Sequence, residues 1–517
     1  MARRIRDIVI VGGGSAGWLT AGVLASEHRA RENAEVRVTL IESPDVKSIG
    51  VGEGTWPSMR DTLRRMGVSE SAFITECDAS FKQASRFAGW VTGAEDDHYY
   101  HPFSAPQGYG EVNLVPAWAE QPGAQRFADL VSFQPWLCEQ GRAPKQNATP
   151  EFAAVANYAY HLDATKFGFF LQKFCIETLG VRHLLAHVQG IRAHDNGDIA
   201  GLETPEHGLV EGDLFIDCTG FSALLLHQHC AVPYVSVRDT LFCDTALAAQ
   251  VPYATADAPI ASHTLSTAQD AGWIWDIGLP GRRGVGYVYS SAHTTDERAE
   301  QALLAYLRRT GGGPAEPALR RIPLNPGYRE TFWHRNCVAV GISAGFIEPL
   351  EASALALIEL SAKMIADDLP PTRDLMDIVA RRFNERFRYR WGRIIDFLKL
   401  HYVLSQRNDS DFWIDNRRPE SVPGRLQELL ALWRFRPPSS RDFPEIEEVF
   451  PAASYQYVLY GMGFLPGQGG HPRRLDDPQA AARCIRAVVQ QTRKYLAGLP
   501  SNRALIEHVR AHGLPRV

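Results

Sequence analysis

Apolar and polar positions along this chain switch between two periods, and each switch marks an element. Ile8-Val9-Ile10-Val11 is a short apolar run that ends in Gly12-Gly13-Gly14, which suits a buried strand and is too short for a signal segment. Apolar helical spacing follows over 16–28, and 37–42 supplies a second strand, so the chain opens with a βαβ pattern. Residues 69–87 have helical spacing, with Phe73, Cys77 and Phe81 at intervals of four. From 95 to 150 Pro, Gly, Gln and aromatic residues predict a long, loop-dominated insertion over a site. Regular structure resumes over 157–179, with a helix from Ala164, and strands with tight turns fill much of 181–340. Past about residue 350, helices are expected at 352–367, 376–404 and 478–496, around a Pro-rich loop at Arg436-Pro437-Pro438. The fold class this predicts is α/β (α+β), a Rossmann-like domain over 1–365 followed by a mainly helical second domain over 366–517.

The first turn carries chemistry. Gly12, Gly14 and Gly17, with Ser15 and Ala16 between the last two, satisfy G-x-G-x-x-G directly after a strand and at the start of a helix. Glycines there let backbone N–H groups approach a pyrophosphate at the positive helix end. Glu42 ends the next strand, 25 residues beyond Gly17, and is placed to hold ribose hydroxyls. The turn itself does not choose between FAD and NAD. Two later apolar strands that run into small-residue turns, Leu214 to Gly220 and Cys337 to Gly341, favour FAD. Flavin hydroxylases often carry Asp after such a glycine, and Ile342 stands there instead, so the pattern is not that of a plain hydroxylase.

Bulk properties narrow the class. With 517 residues the chain exceeds one ordinary core. It is 45% hydrophobic and 22% charged with a net charge of −5, so it lacks the basic excess that nucleic acid binding requires. Eight cysteines stand singly with no C-x-x-C pair, which argues against a zinc or other metal site and fits a reducing cytoplasm. No apolar run approaches the roughly 20 residues of a membrane span.

Several segments in order, Gly12 to Trp18, Gly50-Val51-Gly52-Glu53-Gly54-Thr55, Ser80-Phe81-Lys82, Gly272-Trp273-Ile274-Trp275-Asp276-Ile277 and Gly345-Phe346-Ile347-Glu348-Pro349-Leu350-Glu351, resemble the flavin-dependent tryptophan halogenase family. The resemblance implies an FAD-binding, monooxygenase-type box, reduced FAD delivered by a separate flavin reductase, and bromination or chlorination. It adds Val51, Gly54, Val188 and Leu355 to the flavin contacts. It makes Lys82 the catalytic lysine, which polarises hypohalous acid or carries the halogen as a haloamine. It makes Glu351 a partner of the activated halogen or a base for the ring proton. Without it, Lys82 reads as an exposed lysine paired with Asp78, and Glu351 as an ordinary acid at a helix start.

By the same resemblance, halide rests on backbone N–H groups of Ser353 and Ala354, where Ala352-Ser353-Ala354 replaces the usual Ser-Thr-Gly. An alanine at 354 is expected to cost the freedom of a glycine and leaves halide preference open. Trp273 and Trp275 lie on one strand face and, in the family, separate flavin from substrate; read from the residues, they are a pair of core aromatics. Gly278 departs from the family's proline after Ile277, a change expected to alter a turn. His101 and Phe103 match an aromatic clamp for a flat ring. Val449-Phe450-Pro451-Ala452 stands where tryptophan-specific members carry Phe-Trp-x-Asn, so the Trp and Asn are gone, which points away from free tryptophan and toward an indole-like aromatic. A homodimer is one assembly left open, since the sequence does not give the oligomeric state. The rivals are an FAD-dependent aromatic hydroxylase and a flavin-binding protein that has lost halogenation.

Overall fold

The first strand, Asp7–Val11, runs parallel to its two neighbours Arg37–Glu42 and Leu214–Asp217, as the βαβ pattern predicts. The structure, a computed structural model, describes residues 4–33, 35–46, 52–120, 125–311, 317–467, 471 and 473–516. The full sheet has the order Trp333–His334, Cys337–Ala339, Leu214–Asp217, Asp7–Val11, Arg37–Glu42, Arg182–Leu185, and only the Trp333–His334 edge is antiparallel. Ile8, Val9, Ile10 and Val11 are buried, as in a parallel sheet covered on both faces. Helix Ser15–Glu27 packs against helices Ala164–Glu177 and Ser353–Asp367.

The chain forms two compact units, each assembled from three segments. The first takes Met1–Ala79, Leu162–Val237 and Asn325–Trp391; the second takes Ser80–His161, Arg238–Leu324 and Gly392–Val517. No single cut near 365 reproduces this division, because 365 falls within helix Ser353–Asp367 of the first unit and the second draws on strands far upstream. The reason is sheet pairing, which gathers strands from distant parts of the chain and is invisible to linear patterning.

The second unit is built on a seven-stranded sheet ordered Arg320–Pro323, Thr245–Pro252, Arg282–Tyr289, Gly272–Gly278, His263–Gln269, Ala84–Ala88, His98–Pro102. All neighbours are antiparallel except His263–Gln269 with Ala84–Ala88. On one face Ile274 joins Leu247, Val285 and Tyr287 in a cluster closed by Ala299, Leu303 and Tyr306 of helix Asp296–Thr310. By alternation the opposite face carries Trp273 and Trp275, and the register adds Ser266, Phe87, Tyr99, Thr264, Ser85 and His101.

Residues 69–87 depart from the single helix that their spacing predicts. The helix is only Glu70–Glu76; strands Ser80–Lys82 and Ala84–Ala88 come after it. Asp78 between them adopts φ 47°, a left-handed conformation its short polar side chain tolerates, and it ends the helical course. Phe81 thus continues the four-residue interval without continuing the helix. Among the described residues no helix is long and apolar enough to cross a membrane.

Ile274→Ala should cost about 2–5 kcal/mol, the usual penalty of a core cavity, because the residue is fully buried under helix Asp296–Thr310. The same change at exposed Ile446 should stay within about 0.5 kcal/mol. Denaturant unfolding of the two variants checks the contrast.

Candidate functional site

The glycine turn is sterically enforced. A side chain at Gly12 would stand 2.2 Å from the carbonyl oxygen of Cys218, and one at Gly17 would stand 1.9 Å from that of Gly12. Gly12 also has φ +117°, which L side chains rarely adopt. At Gly13 a Cβ would collide with the Glu42 carboxyl, so that acid lies directly over the turn. Gly14, by contrast, faces open space, and it caps helix Ser15–Glu27 without any side-chain hydrogen bond. The first N–H groups of a thirteen-residue helix are therefore left to an external acceptor, with the helix dipole favouring an anion. These residues fit the diphosphate of FAD.

Glu42 is held by Gln172 Nε2 at 3.1 Å and His183 Nε2 at 3.0 Å, which fix the carboxylate at the strand end. Val188 is half-buried just past the end of the neighbouring strand Arg182–Leu185. Glycine turn, Glu42, Val188, Thr219 and Gly341 all lie beyond the carboxyl ends of parallel strands, the edge where open α/β sheets take ligands. Gly54 ends strand Gly52–Gly54, and Leu355 is buried in helix Ser353–Asp367. Val51 lies outside the described residues.

The start of that last helix is unusual. Glu351 is buried, Ala352 takes φ 54° and ψ 41°, and Ser353 and Ala354 are the first two helical residues. Their N–H groups are among those no helical carbonyl can reach, and no side chain caps this end. Ala354 is helical, so it pays no penalty for lacking the freedom of glycine; the left-handed residue is Ala352. The expected cost of alanine falls two positions earlier than the motif suggests. Trp56 pins the turn by donating Nε1–H to the Glu351 carbonyl at 2.7 Å. One turn farther on, Ser58 and Thr62 donate to the buried Glu359 carboxyl at 3.2 and 2.7 Å. Burial pushes Glu359 up to about 8, leaving it largely protonated near neutrality. Sequence reasoning passed over Trp56 and Glu359; the one signal was an acid inside an otherwise apolar helical stretch.

In the second unit, Lys82 is not an exposed surface lysine. It is 1% exposed, ends strand Ser80–Lys82, and holds Nζ 5.4 Å from the centroid of Phe103. Asp78, the partner that spacing suggests for it, pairs with Lys166 instead. Lys82 and Phe103, 21 positions apart in sequence, are thus brought together by the step from strand Ser80–Lys82 into Ala84–Ala88, whose partner strand His98–Pro102 leads into Phe103. The Phe103 N–H also donates to the Gln83 carbonyl at 3.0 Å. His101 is buried with its ring 5.6 Å from that of Phe397. Phe450 stacks on the same Phe397 at 3.8 Å between centroids and 18° between planes. His101 and Phe450 therefore share one aromatic wall, whereas Pro451 is exposed and opens helix Ala452–Gly461.

Trp273 and Trp275 do share a face, 6.4 Å apart. Trp273 is also a core residue, fully buried 6.4 Å from Trp90. Gly278 ends its strand opposite Arg283, and its carbonyl accepts from Ser80 Oγ at 2.5 Å. Lys82, His101, Phe103, Phe450 and the two tryptophans fall in the second unit; the glycine turn, Glu42, Glu351, Ser353 and Ala354 fall in the first.

Comparison with known proteins identifies the family. The tryptophan halogenase family model matches residues 7–475. Tryptophan 6-halogenase SttH from Streptomyces toxytricini is 33% identical over 96% of this chain and 96% of its own length. The crystal structure of tryptophan halogenase from Shewanella frigidimarina superposes with a TM-score of 0.95 at 48% identity, covering 99% of each chain. A tryptophan C-6 flavin-dependent halogenase from taromycin biosynthesis gives 0.90 at 32% identity, over 98% of this chain and 100% of its own.

Replacing each alanine of the turn by glycine should have opposite effects. Ala352→Gly relieves a left-handed penalty of about 1–2 kcal/mol and should leave the protein as stable or more so. Ala354→Gly loosens a helix start and should cost up to about 1 kcal/mol. Thermal melts of the two variants decide, and equal shifts would refute the assignment of the left-handed residue.

Proposed function

The chain belongs to the tryptophan halogenase family, and on that premise we propose that it halogenates a compact, electron-rich, indole-like aromatic with bromide or chloride. It is an enzyme, a flavin-dependent halogenase. FAD, reduced by a separate reductase and bound at the glycine turn, would supply with oxygen the oxidising power that converts halide into hypohalous acid. Ser353 and Ala354 hold the halide through backbone N–H groups at a helix start. A plain hydroxylase leaves the buried lysine without a task.

The observation that carries the reading is the burial of Lys82 beside Phe103. A charge is kept out of water only at considerable cost, and a ring beneath the cation marks where a flat substrate can lie. In its ammonium form Lys82 donates to the oxygen of hypohalous acid and makes the halogen electrophilic. In its amine form the nitrogen bonds the halogen, and hydroxide leaves with the amine proton as water. The ring carbon then takes the halogen, and Glu351 is the proposed base for the ring proton. Trp273 and Trp275 keep substrate and flavin apart in this reading.

For the substrate, recognition of a free amino acid needs paired charges, because an unpaired buried charge costs several kcal/mol. Phe450 and Pro451 offer no side-chain donor or acceptor. Of the upstream acids, Asp442 is committed to Arg436, to Trp433 Nε1 at 3.1 Å and to the Ser439 N–H at 2.9 Å, and Glu448 accepts from the Glu445 N–H at 3.2 Å. Arg436 holds the Asp442 carboxyl below the usual range, although burial works the other way. The aromatic wall of His101, Phe397 and Phe450 suits a flat ring that carries no zwitterion.

Lys82→Ala should abolish halogenation while reduced-flavin oxidation continues nearly unchanged, as followed by mass spectrometry and oxygen uptake. Product above a few per cent of the parent level would sink the role of Lys82. In competition with bromide, indole should outcompete tryptophan at equal concentration. Bromotryptophan as the main product would refute the pocket reading and leave the halogenase activity standing.

A further inference from the structure

Strand Ser80–Lys82 pairs antiparallel with Ala159–Asp163, Ser80 opposite His161 and Lys82 opposite Ala159. Side chains alternate along a strand, so Ser80, Lys82, Ala159 and His161 share one face, and His161 is the diagonal cross-strand neighbour of Lys82. His161 is fully buried. Its Nε2 is 2.8 Å from Thr264 Oγ1, on the same sheet face as Trp275. Its Nδ1 is buried with no hydrogen-bond partner among the described residues. Buried polar atoms are nearly always satisfied, so an orphaned ring nitrogen in this position calls for a function.

The charged and titratable groups that bear on the ring are Lys82 from its partner strand and His263 from the strand of Thr264. Burial, the charge of Lys82 and that of His263 together hold His161 far below its ordinary value, so the ring stays neutral. His263 is itself pushed down to about 4, chiefly by burial, and so adds little charge at neutral pH. A neutral imidazole has one donor and one acceptor nitrogen. In the tautomer that directs Nε2–H to the threonine hydroxyl, Nδ1 is an acceptor, and the donor that shares its face is the lysine.

Resting on the role assigned to Lys82 above, we propose that His161 is a positioning residue, whose Nδ1, unbonded among the described residues, accepts from Lys82 Nζ once the halogenating species is bound and sets the direction in which the lysine presents its remaining donors or its lone pair. Thr264 fixes the imidazole, the imidazole aims the lysine, and the Phe103 ring lies at cation–π distance from the same Nζ. Because His161 cannot become a cation at working pH, it never repels the lysine it aims. The consequence is regiochemical and kinetic: halogen is delivered to one ring carbon before hypohalous acid escapes.

The test compares His161→Phe, which keeps a planar ring without an acceptor, with His161→Asn, which keeps an acceptor near the place of Nδ1. Both are assayed with FAD, reductase and bromide for product formed per flavin oxidised, and phenol red reports free hypobromous acid. His161→Phe should lower product per flavin by about ten- to hundredfold, the effect of losing one hydrogen bond to a charged group. Free hypobromous acid should rise in parallel, and flavin oxidation should stay within about twofold, since the glycine turn belongs to the other unit. His161→Asn should recover most of the coupling. Unchanged coupling in His161→Phe overturns the proposal, as does equal loss in both variants with a lowered melting temperature, which marks a purely structural residue. Lys82→Ala in the same assay keeps the two readings apart. If it still makes product, the lysine role fails; if it makes none while His161→Phe is unaffected, only the positioning role fails.

Discussion

A lysine ammonium held 1% exposed is the constraint around which the second unit is organised. Moving such a charge out of water is repaid only by close, oriented partners. The ring of Phe103 lies at cation–π distance, and the cross-strand imidazole of His161 is neutral by virtue of its burial beside that same charge. Each of these depends on register. A one-residue slip of Ser80–Lys82 against Ala159–Asp163 would turn Lys82 to the opposite face. Ser80 Oγ, bonded to the Gly278 carbonyl, and Asn502 Nδ2, bonded to the Phe81 carbonyl at 3.1 Å, hold the strand in place from two sides.

In the first unit, two helix starts, at Ser15 and Ser353, leave backbone donors without a side-chain partner. Glycines enforce the first turn by contacts that no side chain can share. The second turn relies on a left-handed alanine pinned by Trp56. Such local strain persists only where the surroundings over-determine it. The protonated Glu359, tied to Ser58 and Thr62, braces the same helix one turn later.

Substrate choice in this reading comes from what the aromatic wall lacks. His101, Phe397 and Phe450 pack ring against ring, and the upstream acid Asp442 is already bound by an arginine. Phe450 and Ala452 in place of Trp and Asn remove side-chain partners for an amino-acid group, while Glu445, Glu447 and Glu448 remain in the same segment.

By itself, the sequence determined the elements whose pattern is local: strands Asp7–Val11 and Arg37–Glu42, the glycine turn between them, the pair Trp273 and Trp275, and the long helices after 350. Each rests on an unbroken period or on glycines at fixed spacing, and none needs a distant partner to be recognised. The resemblance singled out Lys82 and Glu351, but spacing alone placed the lysine on a helix and paired it with Asp78. Tertiary structure decided otherwise, because a left-handed Asp78 ends the helix and strand pairing buries the segment Ser80–Lys82 beyond it. It likewise decided that the left-handed residue of the second turn is Ala352, that the two units interleave, and that His161 shares a face with Lys82. Those facts depend on contacts between residues far apart in the chain, and no local pattern of hydrophobic and polar positions contains them.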